Sequence, residues 1–592
     1  MTARRFAIAL GLVVMLAAVL RGVYPTADPP WRSPVGVVWH DEGAWTHNAR
    51  NKALWGTWVT DNWNPLYVAP VFTGLEYAAF RTFGVGLWQA RSVSMAAGVI
   101  SVWLLGLAVA RMGGRTAGLI AAGLLATNYV WVVYSRAALM EATMIAFMVA
   151  SFHAAVRAQD RPVWGLLAGP LALAAYFTKA AAVSFAVALG LVAAVAAVEP
   201  WWRARAAAPA DEGTAPATGA RSREHRAALA ILTGLALAGL VALLAFVAPH
   251  WNDYRFYNWQ MSVTRKPSYT LKALADRLSW FPIVHDLFTR MWFVLIVAVV
   301  TAAGWLARLR ETTVGERLLI AWAGLGALEL VAHDVGNERR FVYLIPALIA
   351  LAALALGRDG RLLPPRVAAL PARWRLAAAP VVLAASYLVC GGIVRLAFLY
   401  EIRPGVRWSA LAAVALTAAF YATWTRTTRW LARGAIGAPA ALALAALVMA
   451  DDLAQFGQYL AGLTFRNIAA MRLVADRLPP GTLVHGKLAN GLALESRIRP
   501  VFVGNHFGNY DDRFTREDAK YVLTYVSPYV GYEGPVIREV LDAYPGKQLL
   551  WTVPVAESAG GADLAALFLK RPVPPASTSS ASPPPSSHRA QD

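Results

Sequence analysis

The chain is short of charge. Only 15% of its 592 residues are Asp, Glu, Lys or Arg, against roughly 25% in an ordinary soluble domain. With 58% hydrophobic residues, that deficit excludes a water-soluble fold. Cysteine is almost absent. The single thiol, Cys390, lies inside an apolar run, which rules out an intrachain disulfide and a Cys-rich metal centre. There is no glycine-rich nucleotide-binding loop and no internal repeat of fixed period.

What is present is a series of apolar runs close to the ~20 residues that cross a bilayer. Window hydropathy predicts about thirteen spans, near 6–23, 88–110, 116–133, 140–157, 163–178, 180–198, 227–248, 291–308, 318–334, 341–357, 376–398, 408–424 and 435–453. The net charge of +20 would suggest nucleic acid in a soluble protein. Here the basic residues gather in short loops, among them Arg111 and Arg115, Arg157 and Arg161, and Arg426, Arg429 and Arg433. That pattern reports membrane orientation instead. The opening stretch "MTARRFAIALGLVVMLAAVLRG" resembles a signal peptide without a small-x-small cleavage site. It reads as a retained first span with Arg4 and Arg5 in the cytoplasm. The expectation is a multi-pass protein of the plasma or inner membrane, N-terminus inside and C-terminus outside.

The fold class predicted is a polytopic α-helical membrane protein, with about thirteen transmembrane helices and a small C-terminal α/β extracytoplasmic domain. The membrane part is assigned residues 1–460. Its first outer loop, about 24–87, holds "AWTHNARNKALWGTWV" and "LYVAPVFTGLEYAAFRTFG". Their mixed apolar and polar faces predict helices lying in the membrane interface. Residues 199–226 read as a cytoplasmic flexible insert. Strand-like "GTLVHGKL", "RPVFVG", "KYVLTYV" and "KQLLWTVPV" are interspersed with helix-like "FRNIAAMRLVADRLP" and "PVIREVLDAY". These define an α/β domain over 463–571. The Pro/Ser-rich 572–592 reads as a disordered tail.

The unusual charges fall on the predicted outer side: Asp41 and Glu42, Arg136 and Glu141, Lys179, Arg265 and Lys266, and Glu338, Arg339 and Arg340. Charged groups near the hydrocarbon boundary are costly unless solvated, paired or ligand-bound. Each has a plain structural reading. Asp41 and Glu42 suit the start of a helix dipole. Arg136 and Glu141 suit an ion pair across a tight loop. Lys179 suits a snorkelling side chain, and Arg339 and Arg340 suit lipid headgroups. Together they put carboxylates and cations on one side. A sugar transfer from a lipid phosphate needs both: a carboxylate takes the proton of the attacking hydroxyl, and cations hold the departing phosphate.

The sequence here resembles the multispanning C-type glycosyltransferases that use polyprenyl-phosphate sugars, within them the protein O-mannosyltransferase and lipid A aminoarabinose transferase group. The resemblance is carried by "HDEGAW", "NPLYVAPVFTGLEYAAFRTFGVGLWQARSVSMAAGVISVWLLGLAVARMGG", "YSRAALMEATMIAFMVASFHAA", "ALAAYFTKAAAVSFAVALGL" and "ERRFVYLIPALIALAALAL". It implies that Asp41 is the catalytic base and that Glu42 positions substrate or tunes Asp41. It implies that Glu141 is the second-loop acid of the substrate site. Lys179, Arg339 and Arg340, with Arg136 a further candidate, would bind the donor phosphate. "WNPLY" stands where several members have His-Pro-Pro, which weakens any carry-over of acceptor contacts.

The function expected is therefore an inverting transfer of a sugar from a polyprenyl-phosphate donor to a hydroxyl of a protein, lipid or cell-envelope glycan. The partners are the lipid-linked sugar, that acceptor and membrane lipids, not nucleic acid. The alternative is a transporter or lipid flippase of envelope precursors. Such proteins place ionisable residues near the bilayer midplane. No cofactor is required, and a divalent metal is compatible: His40, Asp41, Glu42 and His47 carry ligand atoms without a recognised spacing. His506, Asp511 and Asp512 in "GNHFGNYDDRF" read better as a turn than as a metal site.

Overall fold

The computed structural model describes residues 1–29, 39–206, 218–263, 270, 290–333, 338–359, 370–399, 406–432, 437–502, 514, 516, 518–525, 541–556 and 563–570. Arg265, Lys266, His506, Asp511, Asp512, the middle of the insert, most of "PVIREVLDAY" and the Pro/Ser-rich tail lie outside them.

The membrane part opens with α1 (Ala3–Gly22), α2 (His40–Trp55), α3 (Pro70–Phe83), α4 (Leu87–Thr127) and α5 (Tyr129–Ser135). It continues with α6 (Met140–Ala158), α7 (Gly165–Thr178), α8 (Val183–Ala206), α9 (Thr218–Ala242) and α10 (Trp251–Val263). Helix overlies each of the predicted spans, but helicity alone does not make a crossing. Among the described residues six helices are long and apolar enough to span a bilayer, or seven if the bent pair α5–α6 counts as one. Part of the difference from about thirteen lies in α4. Its 41 residues are broken at Gly114, whose φ of 85° belongs to the left-handed region that glycine enters without steric cost. The chain folds back there: a methyl group on Gly118 would sit 2.6 Å from the carbonyl oxygen of Gly106. The runs predicted at 88–110 and 116–133 are the arms of this hairpin.

The outward stripes are apolar. Along α1 the exposed residues are Ile8, Leu12, Met15 and Val19; along α8 they are Val187, Leu191 and Val195. Spacings of three and four put each set on one helix face. A stripe of this kind on the outside suits lipid, where water would oppose it. The helix Ile345–Leu354 lies at the centre, nearly all of its residues buried, and packs against α4.

From Leu483 a five-stranded mixed sheet forms: β1 (Leu483–His485), β2 (Arg499–Val501), β3 (Tyr521–Tyr525), β4 (Gln548–Val555) and β5 (Asp563–Leu569). The order is β2-β1-β3-β5-β4. Strand β1 runs parallel to β2 and β3, and β5 runs antiparallel to β3 and β4. Ile468, Met471 and Val474 of the helix Arg466–Arg477 cover the sheet. Its core does not close on itself: Trp39, Ala49, Phe80 and Leu87 belong to the same apolar cluster as Val484, Leu523 and Leu567. The sheet is therefore packed onto α2, α3 and the start of α4.

Candidate active site

Helix α2 carries the sequence's first acidic pair and is buried nearly all round, with His40, Glu42 and every residue from Gly43 to Asn51 enclosed. This corrects the expectation of an interfacial helix with a wet polar face. Its polar groups are paired inside the protein, as burial requires. Asn48 donates to the Trp58 carbonyl at 2.8 Å and accepts from the Leu66 amide at 3.0 Å. His47 meets Asp61 at 3.0 Å. Arg50 donates to the carbonyls of Ala493, Ser496 and Ile498 at 3.0, 2.8 and 3.0 Å. The helix can lie this close to the sheet region because a glycine stands on each side of the contact. A methyl on Gly43 would fall 1.8 Å from the Asn490 oxygen, and one on Gly491 would fall 2.7 Å from the His40 Cβ.

Asp41 and Glu42 go separate ways. Asp41 Oδ2 accepts from Arg339 Nη1 at 2.7 Å. Arg339 Nε and Lys179 Nζ both donate to Glu141 Oε1. Four chain segments thus converge in the order Asp41–Arg339–Glu141–Lys179. Lys179 sits in the break between α7 and Ala180–Ala182, where its backbone is extended. Glu141 is in the first turn of α6, at a dipole end that favours an anion. Glu141 is sealed at 1% side-chain exposure, whereas Asp41 keeps 13% and Lys179 keeps 22%. The cluster therefore has a closed floor and an open rim. The Lys179 ammonium is held down to about 8, first by burial and then by Arg339 and Arg340, with Glu141 opposing. Arg340 thus lies within electrostatic reach of the cluster.

Two predicted residues stand apart from it. Glu42 takes a two-pronged contact from Arg91, with Nε and Nη2 each at 2.7 Å, and its Oε1 also accepts from the Ala138 amide at 2.7 Å. Arg136 donates to the carbonyls of Leu20, Arg21 and Tyr24 at 2.8, 3.0 and 3.0 Å. It also lies over the rings of Phe456 and Tyr459. It closes the end of α1, and the Arg136–Glu141 pair read across the tight loop is replaced by Glu141 with Lys179 and Arg339.

The metal-compatible set is likewise dispersed, because Glu42 is bound to Arg91 and His47 to Asp61. Among the described residues no three His, Cys, Asp or Glu side chains group as a ligand set.

Sequence reasoning passed over Arg91, Arg50 and Asp28. Asp28 accepts from the amides of Arg466 and Asn467 at 2.7 and 3.0 Å and so starts the helix Arg466–Arg477. A signal existed for Arg91: a lone arginine inside "GLWQARSVSMAAG" needs a buried anion.

The comparisons with known proteins bear on this geometry. Residues 68–209 match the family described as dolichyl-phosphate-mannose-protein mannosyltransferase, a segment that contains Glu141 and Lys179. No curated protein matches the sequence. The fold is similar to that of ArnT from Cupriavidus metallidurans bound to undecaprenyl phosphate, with 17% identity over 96% of this chain and 98% of that one and a TM-score of 0.50. Archaeal oligosaccharyltransferase AglB from Archaeoglobus fulgidus is a looser likeness: 14% identity, 89% of this chain, 70% of that one, TM-score 0.45. The chain is a mostly helical, multi-pass membrane protein with a fold like that of ArnT. The resemblance to the protein O-mannosyltransferase group read from its motifs is found again in the family match.

Proposed function

We propose that the chain is an integral membrane glycosyltransferase that moves one sugar from a polyprenyl phosphate to a hydroxyl acceptor on the outer face. The observation that carries this reading is the chain of charges from Asp41 through Arg339 and Glu141 to Lys179, open at the Asp41 and Lys179 ends. Asp41 takes the acceptor proton as the hydroxyl oxygen bonds to the anomeric carbon. The carbon–phosphate oxygen bond breaks on the opposite side, so the sugar inverts and polyprenyl phosphate departs. Lys179 and Arg339, with Arg340 beside them, neutralise the departing phosphate. Glu141 holds those two cations at a fixed spacing. An apolar groove of about 480 Å³ between α7 and α9 is lined by Pro170, Leu173, Phe177, Leu237 and Val241. Phe177 is two residues from Lys179, so a lipid chain in this groove would bring its phosphate toward the cations.

The test is mass spectrometry of membrane glycoproteins, lipids and glycans from cells with the wild type, without the protein, and with Asp41→Asn. Loss of a general base costs about 10²- to 10⁴-fold in rate, so the product should disappear in the variant at equal expression. A product unchanged by Asp41→Asn would end the base assignment. Tags near residues 60 and 520 should both be accessible from outside; either one found inside would end the outer-face reading.

A further inference from the structure

Asp41 has a second neighbour besides Arg339. The ring of His40 is enclosed at 4% exposure between Trp39, with ring centroids 6.1 Å apart, and Gly491. Its Nε2 stands 3.9 Å from Asp41 Oδ1. Its Nδ1 stands 3.3 Å from the hydroxyl of Tyr525, the last residue of β3. Thus Arg339 addresses one oxygen of Asp41, His40 addresses the other, and a residue nearly five hundred positions away addresses His40. The tautomer of a neutral imidazole follows the hydrogen bond made by its other nitrogen. If the tyrosine hydroxyl donates to Nδ1, the proton is on Nε2 and its N–H dipole faces the carboxylate.

We infer that Tyr525 and His40 are positioning residues for Asp41, through which the sheet region sets the orientation of the base. This rests on the glycosyl-transfer reading above. Neither residue touches the reacting atoms. Tyr525 fixes the imidazole tautomer, the imidazole turns Oδ1 toward the acceptor, and Arg339 keeps Oδ2. The close approach of Gly43 and Gly491 makes the arrangement possible, since any larger residue would push the short helix Lys487–Gly491, which follows β1, away from His40. A misplaced base lowers the chemical step without loosening the lipid donor, because the cations that hold the phosphate come from other segments.

The experiment uses the full-length protein in nanodiscs. A panel of undecaprenyl-phosphate hexoses and pentoses serves as donor, and release of undecaprenyl phosphate is the readout. Tyr525→Phe keeps the ring and removes the hydroxyl. Its kcat should fall about tenfold with KM for the donor unchanged, the pattern of an interaction made in the transition state. His40→Gln puts an amide N–H where Nε2 was and needs no tautomer. It should retain more activity than His40→Ala, and adding Tyr525→Phe to it should cost nothing more. Thermal unfolding of each variant separates this from loss of fold. Additive effects of the two substitutions, or Tyr525→Phe equal to wild type while Asp41→Asn is inactive, would overturn the positioning role alone. Absence of release by the wild type with every donor would overturn the transfer reading and the inference with it.

Discussion

Two acid–cation assemblies stand one residue apart on α2, and they are built differently. At Glu42 both carboxylate oxygens meet Arg91, a backbone amide fills a further position, and Arg91 spends its remaining amine on the carbonyls of Pro25 and Ala27. Glu42 and Arg91 are 1% and 3% exposed. At Asp41 the bonding is less complete: Arg339 and Lys179 share one oxygen of Glu141, while the other Glu141 oxygen is buried without a hydrogen-bond partner among the described residues. Asp41 and Lys179 keep an open side. A saturated pair can only hold elements together. An assembly with an open rim can exchange a partner for a ligand. On the proposed reading the difference fits stability at Glu42 and chemistry at Asp41, although the sequence offers them as one motif.

Breaking the saturated pair gives the largest effect. Removing one partner of a buried ion pair leaves the other charge uncompensated and costs about 3–5 kcal/mol. Glu42→Ala or Arg91→Ala should therefore lower the unfolding temperature in detergent strongly. The joint replacement Glu42→Leu with Arg91→Met should recover much of the loss, since no orphan charge remains. Arg339→Met should lose activity with a much smaller thermal change. Equal thermal losses in the two assemblies would erase the distinction.

That distinction was only partly legible in the sequence. Asp41, Glu141, Lys179 and Arg339 could be picked out as ionisable residues next to apolar runs, and the structure brings them together. Adjacent residues on a helix point about 100° apart, so Glu42 had to face elsewhere; what it faces depends on Arg91, and that is a tertiary fact. The polar surface of α2 looked wet because no periodicity reveals that it is covered by the sheet region. In the sheet, β1 to β4 fall on stretches with strand-like composition. Strand β5, "DLAALFL", has the Ala and Leu content of a helix former. Pairing with β3 on one side and β4 on the other decides its conformation, as context commonly does for strands.

The open assembly makes a pH-dependent prediction of intermediate size. Lys179 is held down to about 8, so its charge is present below that pH and is lost as pH rises through it. The nearby charges are Glu141, which opposes the loss, and Arg339 and Arg340, which promote it. A phosphate monoester is already doubly ionised above pH 7, its second pKa being about 6. Binding of undecaprenyl phosphate in nanodiscs should therefore weaken above pH 8, by up to about tenfold per pH unit. Lys179→Arg, which stays charged, should remove the step. A step of equal size in the arginine variant would assign the titration to another group.

The smallest effect sharpens the comparison from a third carboxyl. Glu76 on α3 is wholly buried, and neither of its oxygens has a hydrogen-bond partner among the described residues. Burial first, and then the nearby Glu42, push its carboxyl well above the ordinary range. It is therefore protonated in the fold at pH values where the unfolded chain ionises it. A carboxyl raised in this way contributes stability that is complete below its unfolded pKa and is lost as pH rises through its folded one. An unpartnered buried polar group also costs roughly 1–3 kcal/mol. Glu76→Met, similar in length and apolar, should raise the unfolding temperature at every pH, and by more at pH 8 than at pH 5. The Glu42 charge is part of what raises the Glu76 carboxyl, so the gain should shrink when Glu42→Leu with Arg91→Met is the background. A lower unfolding temperature at pH 8 would mean that Glu76 is held by a partner when ionised, and the contrast between saturated and unsaturated carboxylates would no longer sort stability from chemistry.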